Sequence, residues 1–268
     1  MGVSVVRGKV CAKDVEMEEH PMSERSYDAF SAGWAQGPLV GFDTETTGVD
    51  VANDRIVTAA VVLRIPGVST DVRTWLVDPG VDIPAEAAAI HGISTEHARA
   101  HGTSPAVALE EIAAELAAHL REGVPVVAYN ASFDLSLLDA ELARHGLATL
   151  PERLGRAVTP VLDPLVIDRW QDRYRPGKRR LGNLVEHYGV LATDELHAAD
   201  VDVLATLDVL DALVRAFPVL GAMSLEELHA AQVGAHDTWA RSFNEWRESQ
   251  GFDGPGASTA WPVEHATW

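Results

Sequence analysis

Asp43 and Glu45 close the apolar run Leu39-Val40-Gly41-Phe42, separated only by Thr44. In an extended strand, residues two apart share a face, so both carboxylates project to one side at the strand's C-terminal end. Like charges held that close repel, and a divalent cation, which prefers hard oxygen ligands, would relieve them. The same residues also read as a strand running into a polar turn, with Thr46-Thr47-Gly48 as the turn chemistry. Two further acids open apolar-periodic segments: Asp134 in Asn130-Ala131-Ser132-Phe133-Asp134, and Asp202 in His197-Ala198-Ala199-Asp200-Val201-Asp202. Each alone reads equally as a first-turn acid favoured by the helix dipole.

The elements that must position these residues follow from periodicity and turn chemistry. Arg55 to Ile65 and Asp71 to Val77 are rich in Val, Ile, Leu and Thr and are divided by Pro66-Gly67, which predicts a hairpin. With Leu39 to Asp43 they make a three-stranded antiparallel meander. A short apolar helix ends at the turn His91-Gly92-Ile93-Ser94, and Ser104-Pro105 opens a longer one carrying Leu109, Ile112, Leu116 and Leu120. Val124 to Ala128 reads as a buried strand leading into a helix capped by Ser132, with Leu135, Leu138 and Leu142 on one face. Ala157 to Leu162 supplies another strand. It is followed by a short helix near Pro164, a basic loop and a helix over Leu181 to Tyr188. The helix holding Asp202 presents Val203, Leu207, Leu210, Val214 and Phe217. Strands first, then alternating strand and helix, predict an α/β domain with a mixed sheet.

The 268 residues suffice for one large domain with appendages, which we divide as an extension over 1–30, the main domain over 31–220 and a helix with tail over 221–268. Ser224-Leu225-Glu226-Glu227 is a capping box, opening a stripe of Leu225, Leu228, Ala235, Trp239 and Trp246. The tail with Trp261 and Trp268 has no period and is expected to be loosely held. The single cysteine, Cys11, excludes an internal disulfide, and no apolar run matches a signal peptide or a membrane span. These features suggest a cytoplasmic location without membrane association. A net charge of −19 disfavours a uniformly basic surface for phosphates, yet six of the 21 basic residues fall between Arg169 and Arg180.

Asp-x-Glu on a strand, Asn-x-x-Phe-Asp at one helix and His-x-x-x-x-Asp at another, in that order, resemble the motifs of the DEDDh 3′–5′ exonucleases. That family includes the proofreading subunit of bacterial DNA polymerase III, ribonuclease T and oligoribonuclease. The resemblance covers roughly residues 38–217. It implies a ribonuclease H-like mixed sheet flanked by helices, here with a C-terminal helical extension. It also implies metal ligation by Asp43, Glu45, Asp134 and Asp202, proton transfer by His197, and two Mg²⁺ or Mn²⁺ ions. Its expected substrate is the 3′ end of a single-stranded nucleic acid, released as nucleoside 5′-monophosphates. Tyr129 departs from the family pattern, in which His often precedes the Asn.

Five helical residues turn about 140° past a full circle, so His197 is expected on a lead-in loop with Asp202 inside the helix. Expected substrate contacts are Thr46, Phe133 (equally a core residue), His91 in its turn, and Arg175, Lys178, Arg179 and Arg180 in the basic segment. Asp163 and Asp200 fit local turn and cap roles better than catalysis. DNA is the leading substrate. An RNA substrate, or a module binding a polymerase or repair protein, is the alternative, and any coupling to synthesis would be in trans.

Overall fold

The computed structural model describes residues 33–191 and 198–264, so the segment 1–30 and Trp268 lie outside the described residues. Strands β1 (Leu39–Thr46), β2 (Ile56–Ile65) and β3 (Ser69–Leu76) form the expected antiparallel meander. β4 (Val126–Val127) and β5 (Val161–Leu162) join in parallel on the other side of β1, giving the order β3-β2-β1-β4-β5. The last two strands are shorter than their apolar runs. Pro125 and Pro160 stand just before them and have no N–H to give, although their carbonyls accept from Val40 and Val126.

Alternation along β1 sorts its side chains between two cores. Val40 and Phe42 join the layer built by α3 (Pro105–Arg121) and α4 (Ala131–Arg144). Leu39 faces the opposite layer, with α6 (Pro164–Gln171), α7 (Leu181–His187) and α8 (Ala199–Ala216). The helices α1 (Ala85–His91) and α2 (Thr95–His101) follow β3, with Ile83 and Ala98 packed on Val57. α5 (Leu150–Leu154) leads to β5, and α9 (Val219–Ala222) precedes α10 (Leu225–Ser249).

Two expectations for the C-terminal part are corrected. The buried line of α10 is Leu228, Gln232, His236 and Ala240, while Trp246 is 51% exposed. Polar residues sit in that line because α10 covers the open edge of β5. The Gln232 amide donates to the Val161 carbonyl at 3.1 Å and accepts from the Asp163 N–H at 2.7 Å; the Val161 N–H donates to His229 Nδ1. These bonds satisfy backbone groups that a sixth strand would otherwise pair. The tail is likewise held: Trp261 and Val263 are each 7% exposed in the α3/α4 core, and the Glu264 N–H donates to Ser136 Oγ at 2.8 Å.

α8 crosses β1 and β2 at close range, and the contact requires Gly41. A Cβ there would lie 2.3 Å from Val203 Cγ1 and 3.2 Å from Leu207 Cδ1. Both side chains are fully buried, so neither can swing into solvent. This approach sets the height of α8 above β1, and therefore the place of Asp202. Gly41→Ala should destabilise the fold by about 1–3 kcal/mol through overpacking. Adding Val203→Ala should recover part of the loss, read as favourable coupling in a denaturant double-mutant cycle. Simple additivity would show that the α8–β1 contact does not limit the packing.

Candidate active site

Asp43 and Glu45 lie on the face of β1 that α8 covers, beyond the point where β4 stops pairing. Asp202 occupies the first turn of α8. Carboxylate oxygens of Asp43, Glu45 and Asp202 all come within 4.8 Å of one another. Asp134 approaches from the other layer, in the first turn of α4, and is only 3% exposed. Thr44 points toward it: its hydroxyl donates to Asp134 Oδ1 at 2.6 Å and its N–H at 3.1 Å. The alternating strand thus carries two cluster acids on one face and the anchor for a fourth acid on the other.

The start of α4 is fixed by Asp163, not by a Ser132 cap. Ser132 is inside the helix, and the N-cap is Asn130, with a left-handed backbone at φ 61°. The Asp163 carboxylate accepts from Asn130 N–H at 3.0 Å, Ala131 N–H at 2.9 Å and Leu165 N–H at 2.9 Å. One buried side chain thereby ties the entry of α4 to that of α6, and Asp134 with it. Asp163 does serve its local turn, capping α6, but its hold on α4, like that of Thr44 on Asp134, depends on contacts between segments 32 and 90 residues apart that no motif carries.

The electrostatics separate this cluster from an ordinary acidic surface. Burial raises the Asp43 pKa well above the carboxylate range, and the charges of Asp134, Asp202 and Glu45 raise it further. Burial and the same neighbours push Glu45 up to about 7. Burial lifts Asp134 to about 7 despite the opposing Thr44 hydrogen bonds. Among the described residues, the charges acting on Asp43 are those of acids. Hard oxygen donors that repel one another fit a divalent cation.

The other expected contacts divide. His197 lies outside the described residues, while Asp202 is inside its helix as the spacing predicts. Asp200 lies two places after Ala198, the N-cap, and so does not cap α8. The Thr46 hydroxyl donates to the Gly48 carbonyl at 2.6 Å, so it serves the turn. Phe133 is half-buried against the α3/α4 core. His91 is half-buried beside the Thr46 backbone; burial lowers its pKa and that contact opposes the shift. Tyr129 donates its hydroxyl to the Arg179 carbonyl at 2.6 Å.

Arg175 and Arg179 do not reach out for phosphate. Asp168, with no exposed surface, accepts two bonds from Arg175 Nη2 at 2.8 and 2.7 Å, another from Arg179 and one from the Tyr188 hydroxyl at 2.7 Å. A buried carboxylate needs such partners, and here it takes both guanidiniums. Lys178 and Arg180 remain exposed.

Fold and site together define a ribonuclease H-like α/β domain with a carboxylate centre suited to a divalent cation. The family model described as "Exonuclease" (RNase_T) matches residues 40–210. The chain belongs to that family and is of the DEDDh 3′–5′ exonuclease type. It is similar to "DNA polymerase III PolC-type" of Streptococcus thermophilus, 28% identical over 218 residues, 81% of this chain and 14% of the relative. For the protein of that name from Streptococcus agalactiae the identity is 30% over 183 residues, 68% of this chain and 11% of the relative. Among solved structures, E. coli Exonuclease I in complex with a dT13 oligonucleotide superposes with TM-score 0.57 at 22% identity. That match covers 69% of this chain and 43% of the other. The chain thus spans under a fifth of these curated relatives and under half of the structural neighbour.

The raised pKa values make the cation-free fold pH-dependent. A carboxyl whose folded pKa lies above its unfolded one contributes most below the unfolded value and loses that contribution as pH rises through the folded one. For Glu45 the window runs from 4.5 to about 7. In chelator, the melting temperature should therefore fall from pH 5 to pH 8. Mg²⁺ or Mn²⁺ should restore it, and Asp43→Asn should flatten the slope. A melting temperature independent of both pH and cation would contradict the reading.

Proposed function

We propose that this chain is a metal-dependent 3′–5′ exonuclease that hydrolyses DNA phosphodiesters to nucleoside 5′-monophosphates. The observation that carries the proposal is the convergence of Asp43, Glu45 and Asp202 at one strand end, with Asp134 turned toward them by Thr44. Family membership supports the reaction class. DNA as substrate is supported by the relatives, which are named as DNA polymerases, and by the neighbour solved with a dT13 oligonucleotide. The polymerase context supports, as a second element of the proposal, association with a polymerase or a repair protein.

In this reading Asp43, Glu45, Asp134 and Asp202 hold two divalent ions. Bound there, Mg²⁺ or Mn²⁺ supplies charge that stabilises the attacking and leaving oxygens of an in-line displacement. The protein's own part is to keep the four acids in register. Thr44 directs one Asp134 oxygen, and Asp163 keeps the first turn of α4 from fraying. His197 takes the proton from the attacking water, a role matched to its usual pKa near 6.5. In this reading His91, beside the Thr46 backbone, and Phe133, in the first turn of α4, contact the terminal nucleotide. Exposed Lys178 and Arg180 remain candidates for phosphate contact.

Digestion of matched 5′-labelled DNA and RNA oligonucleotides with Mg²⁺ or Mn²⁺ tests the proposal. DNA should shorten one nucleotide at a time from its 3′ end, releasing 5′-monophosphates. Asp202→Asn should abolish the ladder, and His197→Ala should slow it by about 10²- to 10⁴-fold with cation uptake unchanged. Faster cleavage of RNA would overturn the DNA assignment. Degradation that persists in Asp202→Asn would remove the acid cluster from the mechanism.

A further inference from the structure

Between α6 and α10 lies a groove of about 680 Å³, outside the acid cluster and partly outside the family match, which ends at residue 210. Its walls are Arg169, Trp170, Arg173 and Arg179 on one side and small or aromatic residues of α10 on the other, with no acid among them. Ala231, Gly234, Ala235, Thr238 and Ser242 form an open floor, and a Cβ at Gly234 would meet nothing within 4 Å. The acids nearest in sequence are engaged elsewhere. Asp168 and Asp172 bind Arg175, and Asp237 binds Arg241. Arg169 and Arg173 form no ion pair among the described residues. On a chain of net charge −19, Arg169, which feels Asp163 and Asp168 at a distance, and exposed Arg173 make an acid-free groove lined by guanidiniums a local reversal of field.

Flat π surfaces alternate with these cations. The Arg169 guanidinium lies 3.8 Å over the Trp239 ring, and Trp239 stacks on Phe243 at 5.4 Å and 15°. The column continues through Trp246 to Phe252, and both of these are more than half exposed. Across the groove, Arg173 sits 5.7 Å over Tyr174, whose ring is 89% exposed. A helix forms the floor, so its backbone bonds are spent internally and offer an extended peptide no main-chain partner. Planar rings interleaved with guanidiniums instead suit a polymer of stacked bases and phosphates.

We propose that this groove holds the single-stranded nucleic acid on the 5′ side of the end being hydrolysed; the proposal rests on the exonuclease reading above. The groove is tied to the acid centre through Asp163. That residue accepts from the first amides of α4, receives Gln232 of α10 on its own N–H and directly precedes α6. Arg169 lies about 8 Å along α6 from its start. In the proposal the terminal nucleotides occupy the acid centre, and the strand on their 5′ side fills the groove.

Arg173→Glu and Thr238→Glu place an acid in the groove at exposed positions. Ser242→Glu, on the same wall, repeats the test if either variant melts early. Affinity for dye-labelled oligothymidylates of about 4 and about 16 nucleotides, the range of common single-strand site sizes, is read by anisotropy against salt. The longer strand should bind roughly tenfold more weakly, the loss of one charge-assisted contact. The salt slope should fall by about 0.7 per lost phosphate contact. The shorter strand, and turnover of a mononucleotide p-nitrophenyl ester, should keep wild-type values. Wild-type affinity and slope for the long strand in all variants overturn the groove while leaving the exonuclease reading intact. An equal loss on the short strand also overturns it, by placing the effect at the acid centre. Displacement of the long strand from none of its sites by oligo-glutamate is expected; oligo-glutamate binding that the variants abolish, with nucleic-acid binding unaltered, would assign an acidic protein segment instead. If wild-type protein neither binds nor cleaves any oligonucleotide, the parent reading fails first.

Discussion

Mutual repulsion among Asp43, Glu45, Asp134 and Asp202 is the constraint on which the rest of the structure depends. Left to relax, four acids at one strand end would separate toward water. They are kept together by elements stabilised elsewhere: β1 and the first part of β2, buried between the two helical layers, and helices anchored by large apolar cores. Gly41 lets α8 approach until Asp202 meets the strand, and Thr44 turns Asp134 toward it from the opposite layer. The apolar cores thus supply the free energy that holds an unfavourable polar arrangement, as is common where function and stability conflict.

Other buried acids in the same fold are held differently from Asp43. Asp163 is 1% exposed and meets three backbone N–H groups; Asp168 meets two arginines and a tyrosine. Glu141, also buried, pairs with Arg144 and Arg55. These acids are satisfied within the protein and serve as structural joints. Among the described residues, Asp43 has acids for its charged neighbours. The contrast separates a cluster suited to a cation from buried carboxylates satisfied within the protein.

Much of this was legible in the sequence because it depends on local pattern. The meander follows from β-branched runs broken by Pro66-Gly67, and the acids from three short motifs in a fixed order. What escaped depends on contacts that no local pattern encodes. Thr44 reads as a polar strand residue until α4 is laid beside it. Arg175 and Arg179 read as a phosphate clamp until Asp168, on the preceding helix, takes both. The tail around Trp261 has no period because it makes single anchoring contacts, through Trp261, Val263 and Glu264. The polar line Gln232 and His236 on α10 breaks an apolar stripe because it serves the edge of β5 and the tail.

The most direct test of the account is calorimetric titration of chelator-treated protein with Mn²⁺, comparing wild type with Asp43→Asn. If repulsion at the end of β1 is what the fold leaves for a cation to relieve, wild type shows saturable uptake and the variant binds at least about tenfold more weakly, the cost of losing one charged ligand. Equal binding in both, or none in wild type, would contradict it.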